Sequence, residues 1–397
     1  MIARHYGDAL SRSLARFPVT TVLGPRQCGK TTFLKHALPG WSYVDLERPS
    51  DAEPLAADPE GRVRQLGDRI IFDEAQRVPA LFPLLRSIVD ERPSRRGRFV
   101  LAGSASPTLV RQVSETLAGR TSFVDMCPLR WEEVSARRRP QGINALWLRG
   151  GFPSAFLAAS DVDRMMWLEA YTRTFIERDL PALGLDVSAG QMRRLWTMLA
   201  HVNGGLWNAS QIAASLGVSY HTVNRYVDIL EQTFLVRKLA PYAVNLGKRL
   251  VKSPKVYLRD SGLLHYFLGI RTLRDLDTHP ARGASWEAFV VDQLVSVYQR
   301  DVPDARPYFW RTAQGVEVDL VVERGRRLVP IEVTLHSTPG AADAAALHRS
   351  MDLLGARRGY LVYPGAADYS LGHGVMALGA SALLAAPERI RDLSGPH

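Results

Sequence analysis

The segment Gly24-Pro25-Arg26-Gln27-Cys28-Gly29-Lys30-Thr31 sets two glycines around four residues and follows the second with a lysine and a hydroxyl. Glycine at such positions lets the backbone curl until successive N–H groups face one point, an arrangement that cradles phosphate oxygens. Lys30 is long enough to reach the β and γ phosphates of a nucleoside triphosphate, and the Thr31 hydroxyl can complete the shell of a Mg²⁺ ion. Further along, the apolar run Ile70-Ile71-Phe72 ends in two adjacent carboxylates, Asp73 and Glu74. Asp73 can hold Mg²⁺ through its water shell, while Glu74 can orient or deprotonate the water that attacks the γ phosphate. A surface acidic pair rarely closes a buried strand, so the two segments together point to nucleotide chemistry rather than to a glycine turn. The expected nucleotide contacts are Gly24, Pro25, Arg26, Gln27, Cys28, Gly29, Lys30, Thr31 and Thr32. Mg²⁺ is expected on Thr31 and Asp73, and hydrolysis on Glu74 with Lys30 and Asp73.

Other residues compete for supporting roles. Arg98 to Ser106 reads as a strand ending in small polar residues, and ligands gather at the carboxyl ends of parallel strands. Ser104 or Ser106 can therefore touch the attacking water or the γ phosphate, or cap the helix that begins at Pro107. Arg26 in the loop and Arg120 in Leu117-Ala118-Gly119-Arg120 are the two candidates for stabilising transition-state charge, with a structural ion pair as the alternative for each. Asp45, closing the strand Trp41 to Leu46, is a weaker candidate.

The elements that must position these groups follow from hydrophobic patterning. Phe17 to Leu23 is a buried strand, the glycine loop follows it, and Thr32 to Ala37 is a helix, giving strand, loop and helix in order. Gly-Pro-Arg-Gln-x-Gly-Lys-Thr, then Phe-Asp-Glu-Ala-Gln, Gly-Ser-Ala-Ser, and Leu-Ala-Gly-Arg before Cys127-Pro128-Leu129-Arg130-Trp131-Glu132-Glu133, resembles a large prokaryotic family of AAA-type ATPases joined to a C-terminal domain of unknown function. Gly150-Gly151-Phe152-Pro153 and the helical Tyr171 to Leu180 fit the same pattern, so the resemblance spans essentially the whole chain. It implies ATP as the nucleotide, which the loop alone does not specify. The expected fold is an α/β P-loop NTPase domain with a parallel sheet (residues 1–135) and a helical linker or lid (136–200). A winged helix-turn-helix (201–260) and an α/β restriction-endonuclease-like domain (261–397) follow.

Asn208 to Leu230 carries the helix-turn-helix signal. Ser210 can cap a first helix, Gly217 can end it, and Ser219 can cap a second whose apolar face is Val223, Tyr226, Val227 and Leu230. Tyr220, His221, Asn224 and Arg225 then point outward, and Phe234 to Leu239 begins a wing. Residues 191–260 hold ten Lys or Arg against three acidic residues, a net +7, whereas 281–397 hold twelve against thirteen. Positive charge on such a module favours double-stranded DNA, with Arg225 facing a groove and Lys248, Arg249 and Lys252 on phosphates. The competing reading is a structural or protein-binding module.

At the C-terminal end, the helix Trp286 to Leu294 and the strands Gly315 to Val322 and Leu328 to Thr334 resemble a restriction-endonuclease-like core. Such enzymes place an Asp and a Glu on neighbouring strands and a lysine two residues beyond the Glu. Asp319 and Glu332 are present, but Thr334 stands at the lysine position and no lysine follows Lys255. Arg311 is the remaining cation, and arginine does not accept protons. A nuclease-inactive module is therefore expected, with a vestigial metal site at Glu287, Asp319 and Glu332.

The chain of 397 residues, 46% of them hydrophobic, can bury more than one core. No stretch approaches the ~20 apolar residues of a membrane span and the N-terminus lacks a signal-peptide core, so a cytoplasmic protein is expected. The two cysteines, Cys28 and Cys127, read as reduced thiols. The expected function is Mg²⁺-dependent ATP hydrolysis coupled to conformational change in DNA-associated modules. The alternatives are an ATP-responsive DNA-binding regulator, an ATP-gated nuclease and an ATP-dependent scaffold for a protein partner. The sequence leaves the oligomeric state open.

Overall fold

The computed structural model describes residues 2–104, 107–135, 142–185, 187–242 and 252–395, with the side chains of residues 107 and 108 outside that description. The chain folds into two compact units, Met1–Pro128 with Asp228–Phe234, and Leu129–Val227 with Leu235–His397. No helix among the described residues is long and apolar enough to cross a membrane.

The first unit is built on strands β1 (Val19–Gly24), β2 (Ser42–Asp45), β3 (Ile70–Asp73), β4 (Phe99–Ser104) and β5 (Thr121–Asp125). They lie in the order β2-β3-β4-β1-β5, all parallel. β1 and β3 are buried along their whole length, because helices cover both faces of the sheet. Alternation along the strands divides the core in two. Val19, Leu23, Ile70, Phe72, Phe99 and Leu101 pack on one face with Phe82, Leu85, Ile88 and Leu109, while Val22, Ile71, Val100 and Val124 pack on the other with Leu10, Phe33 and Leu34. Parallel register carries Gly24 beside Ser104 and Asp45 beside Asp73, so all the strand-end candidates meet at one edge of the sheet.

In the second unit, helices Ala189–His201 and Ala209–Leu216 precede helix Tyr220–Gln232, whose last residues belong to the first unit. Strands β6 (Val236–Leu239) and β7 (Lys255–Leu258) follow and pair antiparallel. Gly217 closes the second helix in the left-handed conformation at φ 69°, and the Ser219 hydroxyl accepts the Thr222 N–H at 3.1 Å, as the pattern predicts. The cap of the second helix differs from expectation. Asn208, not Ser210, accepts the Gln211 N–H, because Ser210 already lies inside the helix.

A mixed sheet of six strands completes this unit: β8 (Ala305–Arg311), β9 (Glu317–Arg324), β10 (Arg327–Val333), β11 (Gly359–Tyr363), β12 (Tyr369–Gly372) and β13 (Val375–Gly379). Their order is β12-β13-β11-β10-β9-β8, with β8, β9 and β10 an antiparallel meander and β10, β11 and β13 parallel. Helix Arg282–Asp301 is buried from Ser285 to Tyr298 except at Glu287, and helix Ala345–Leu354 adds Leu347, Met351 and Leu354 to a core with Val318, Val321 and Leu361.

Candidate active site

The loop after β1 is shaped by three positions. A Cβ on Gly24 would stand 2.2 Å from the Met126 carbonyl oxygen, so no larger residue fits there. Gln27 and Gly29 then turn the chain with φ of 61° and 98° into helix Lys30–Ala37. Pro25 and Cys28 are buried, Arg26 is half-buried, and Gln27 and Thr32 are exposed. Lys30 lies buried along the loop, its ammonium donating to the carbonyls of Gly24 and Pro25 at 3.0 Å each. Burial pushes the Cys28 thiol pKa up, which keeps it protonated and inert.

Thr31 and Asp73 come together as expected. The Thr31 hydroxyl donates to Asp73 Oδ2 at 2.5 Å, and the Tyr43 hydroxyl donates to the same oxygen at 2.7 Å. A hydroxyl and a carboxylate side by side are the hard oxygen donors that Mg²⁺ selects, so the residues present fit that ion. Glu74 follows in the left-handed region at φ 53°, which turns its side chain away from the strand direction. Its carboxylate accepts from Gln76 Nε2 at 2.6 Å and from the Ser104 hydroxyl at 3.2 Å. Ser104 thus lies on the catalytic candidate itself, reached across the sheet from β4. Ser106 lies outside the described residues.

Tyr43 and Gln76 carry no role in the sequence reading. Tyr43 gives no signal beyond its place on a strand. Gln76 sits within the Asp-Glu-Ala-Gln motif, where its amide two residues beyond Glu74 was the available clue.

The two arginines separate. Arg26 stays at the loop, paired with Glu47 at 3.2 Å. Arg120 does not reach the site, a correction to its expected catalytic role within the subunit. It immediately precedes β5 and its carbonyl accepts the Val19 N–H at the start of β1, whereas the phosphate loop leaves the far end of that strand. Its guanidinium forms a two-pronged pair with Asp90 at 2.6 and 2.8 Å. The Asp45 carboxylate accepts the Glu47 N–H at 3.0 Å and so serves the local turn.

In the second unit two carboxylates of the expected metal site, Glu287 and Asp319, gather with Glu317 around an ammonium, and Glu332 does not pair with it. Lys255 Nζ lies 2.9 Å from Glu287, 2.5 Å from Glu317 and 3.1 Å from Asp319, and only 3% of its side chain is exposed. The expectation that no lysine serves this module is therefore corrected: β7, from the preceding segment, delivers one. The vestigial metal site expected at Glu287, Asp319 and Glu332 is corrected with it, since Lys255 already supplies a cation to Glu287 and Asp319 and among the described residues no three His, Cys, Asp or Glu side chains are arranged to hold a metal. Tyr257 donates to Glu287 at 2.7 Å, and Asp319 accepts the Val333 N–H at 3.1 Å. Glu332 Oε2 is buried without a hydrogen-bond partner among the described residues. Burial and the negative charges of Asp319 and Glu287 push the Glu332 pKa up to about 9, and burial beside Asp319 pushes that of Glu287 to about 7.

The basic charge expected to meet DNA is partly consumed inside this unit. Arg237, Arg259 and Arg130 converge on Asp292 at 2.6, 3.1 and 2.7 Å. Burial alone would raise the Asp292 pKa, but the guanidiniums of Arg130, Arg259 and Arg237 hold it far below the usual carboxylate range. Arg225 is exposed and donates to the Gly184 carbonyl at 2.9 Å; Lys252 is exposed; Lys248 and Arg249 lie outside the described residues. Asn224 is half-buried and accepts the Trp207 indole N–H at 2.8 Å.

A phosphate loop and strand-end carboxylates on a parallel sheet with helices on both faces define an ATP-binding protein of the P-loop class. A profile described as an AAA domain matches residues 16–135, and two described as domains of unknown function, DUF8612 and DUF4143, match residues 141–274 and 282–383. An uncharacterized protein of Mycobacterium tuberculosis is 42% identical over 378 residues, covering 94% of this chain and 83% of its own length, and one of Mycobacterium bovis matches equally. The chain belongs to the family that joins an AAA-type ATPase domain to a C-terminal DUF4143 domain. Among solved structures, the Walker-type ATPase PABY2304 of Pyrococcus abyssi is similar over 68% of this chain and 96% of its own, at 16% identity and a TM-score of 0.47. The Orc1 protein of Aeropyrum pernix, solved in complex with DNA, is similar over 69% and 95%, at 13% identity and a TM-score of 0.30.

Proposed function

We propose that this protein hydrolyses ATP with Mg²⁺ and uses the cycle to change the state of a DNA-associated C-terminal region. The observation that carries the reading is the Glu74 carboxylate, held by Ser104 and Gln76 at the sheet edge beside the Thr31–Asp73 pair. In this reading the N–H groups of the loop from Gly24 to Thr32 bind phosphate oxygens and Lys30 neutralises the β and γ phosphates. Thr31 and Asp73 would hold Mg²⁺, whose chemistry there would be to neutralise phosphate charge. Glu74 accepts a hydrogen bond from the attacking water and takes its proton. Ser104 and Gln76 fix the direction of that carboxylate, and Arg26, paired with Glu47 at the loop, is the candidate for stabilising transition-state charge. Arg120 can contribute only to the site of another copy.

The domain borders we assign are 1–135 for the ATPase, 136–200 for a helical linker, 201–260 for a winged helix-turn-helix and 261–397 for a restriction-endonuclease-like module, which we read as nuclease-inactive because Lys255 neutralises the carboxylates that would hold a metal. The helix-turn-helix assignment is supported by three helices followed by the antiparallel pair β6 and β7. We place the protein in the cytoplasm, with duplex DNA and a protein as candidate partners.

Glu74→Gln tests the reading. ATP turnover should fall by about 10²- to 10⁴-fold while binding of a fluorescent ATP analogue persists, since the amide keeps the shape and loses the base. Unchanged turnover would remove Glu74 from the chemistry.

A further inference from the structure

Arg4 and Tyr6 lie just before the first helix, Gly7–Arg16, and outside every motif that marks the nucleotide site. The Arg4 guanidinium donates through Nη1 to the Cys28 carbonyl at 2.7 Å and through Nη2 to the carbonyls of Cys127 at 2.6 Å and Pro128 at 3.4 Å. The Tyr6 hydroxyl accepts the Cys127 N–H at 2.9 Å, and its ring meets Phe33, on the helix that follows the loop, edge-on at 6.2 Å. Two N-terminal residues therefore fasten the back of the phosphate loop to the end of the ATPase unit. We propose that they form a strap that reports nucleotide occupancy of the loop to the Met126–Pro128 segment, with Arg4 and Tyr6 as positioning residues. The inference rests on the loop's binding ATP.

Peptide planarity supplies the mechanism. The Cys28 carbonyl and the Gly29 N–H are two ends of one rigid trans unit, so turning that N–H toward a phosphate moves the carbonyl at the other end. Gly29, at φ 98°, gives the unit room to turn. A bound anion also polarises the peptide and strengthens the bond that its carbonyl accepts from Arg4. The planar fork of arginine passes the displacement on, because its two terminal nitrogens hold the loop and the Cys127–Pro128 carbonyls in one fixed geometry. Immediately beyond Pro128 the chain enters the second unit, and there it is fastened. Arg130 pairs with Asp292, the Trp131 N–H donates to Gln293 at 3.0 Å, and Glu132 pairs with Arg300, all partners on helix Arg282–Asp301. A shift at Cys127 is thus delivered to a segment whose next residues are held by the longest helix described.

The test measures amide hydrogen exchange over residues 126–131 of the full chain, with and without a non-hydrolysable ATP analogue and Mg²⁺, in the wild type and in Arg4→Ala, Arg4→Lys and Tyr6→Phe. Analogue affinity is measured separately by fluorescence. The wild type should show a nucleotide-dependent change in exchange at Cys127. Arg4→Ala should bind about tenfold more weakly, the worth of one charge-assisted hydrogen bond. At saturating analogue it should lose the response at 126–131. Arg4→Lys, which keeps the charge but not the fork, should also lose the response, and Tyr6→Phe should raise basal exchange at Cys127 while the fold, followed by circular dichroism, is kept. An undiminished response in the folded Arg4→Lys variant, or none in a wild type that binds the analogue, overturns the strap alone. No binding to the wild type overturns the ATP reading together with it.

Discussion

At the scale of single residues, the two charged centres solve opposite problems. Asp73 and Glu74 keep oxygens available at a strand edge, restrained by the neutral hydroxyls of Thr31, Tyr43 and Ser104 and the amide of Gln76. In the C-terminal unit, Glu287, Glu317 and Asp319 surround Lys255, and Glu332 lies buried beside them with an oxygen that has no hydrogen-bond partner among the described residues. The pKa of Glu332 is raised from its ordinary 4.5 to about 9, so the folded state favours its protonated form. Its stabilising contribution is therefore fully present below pH 4.5 and is lost as pH rises through 9, with Glu287 adding loss toward pH 7. The wild type should lose resistance to urea between pH 5 and pH 9. Glu332→Gln, which keeps the neutral shape, should lose clearly less over the same range, as read from the denaturation midpoint.

At the scale of elements, caps and turns decide where helices begin and bend. Asn208 rather than Ser210 caps helix Ala209–Leu216, because the cap residue must keep non-helical backbone while its side chain reaches the N–H three residues on. Asn208→Ala should cost about 1 kcal/mol in chemical denaturation. Ser210→Ala should stay within about 0.5 kcal/mol, as an exposed change inside a helix. A second local device lies in the helix from Asp161, which widens into a π turn over Phe175–Asp179 just before Pro181. Pro181 has no N–H to offer the turn before it and its ring crowds the Glu177 carbonyl, and a wider turn relieves that conflict.

For the whole molecule, the question is how much of the +7 charge of residues 191–260 remains to meet an anionic partner. Arg237 and Lys255 are buried and Arg259 is half-buried, all in ion pairs within their own unit, so the surface charge is smaller than the sequence count. Lys252 and Arg225 remain exposed. If duplex DNA is bound through this region, affinity should fall steeply with salt, and Lys252→Ala should reduce the slope of log affinity against log salt by about one. Filter binding or fluorescence anisotropy across a salt series measures this, and an unchanged slope would take Lys252 off the phosphate contacts.

The nucleotide site was legible in the chain because its parts are local: a loop whose glycines, lysine and threonine are contiguous, and a strand whose last residues are the carboxylates. Backbone geometry over a few residues determines what such motifs do, and the sequence carries that directly. The same holds for the alternating β strands and for the face of Val223, Tyr226, Val227 and Leu230, all buried as their spacing predicts. Only tertiary structure decided which groups meet across strands. It put Ser104 and Gln76 on Glu74, Tyr43 on Asp73, and Arg4 behind the loop, and it took Arg120 to the opposite end of the sheet. Lys255 is the clearest case. It precedes the segment that holds the C-terminal carboxylates, yet burial of those acids demands a cation, and β7 brings one to them from earlier in the chain.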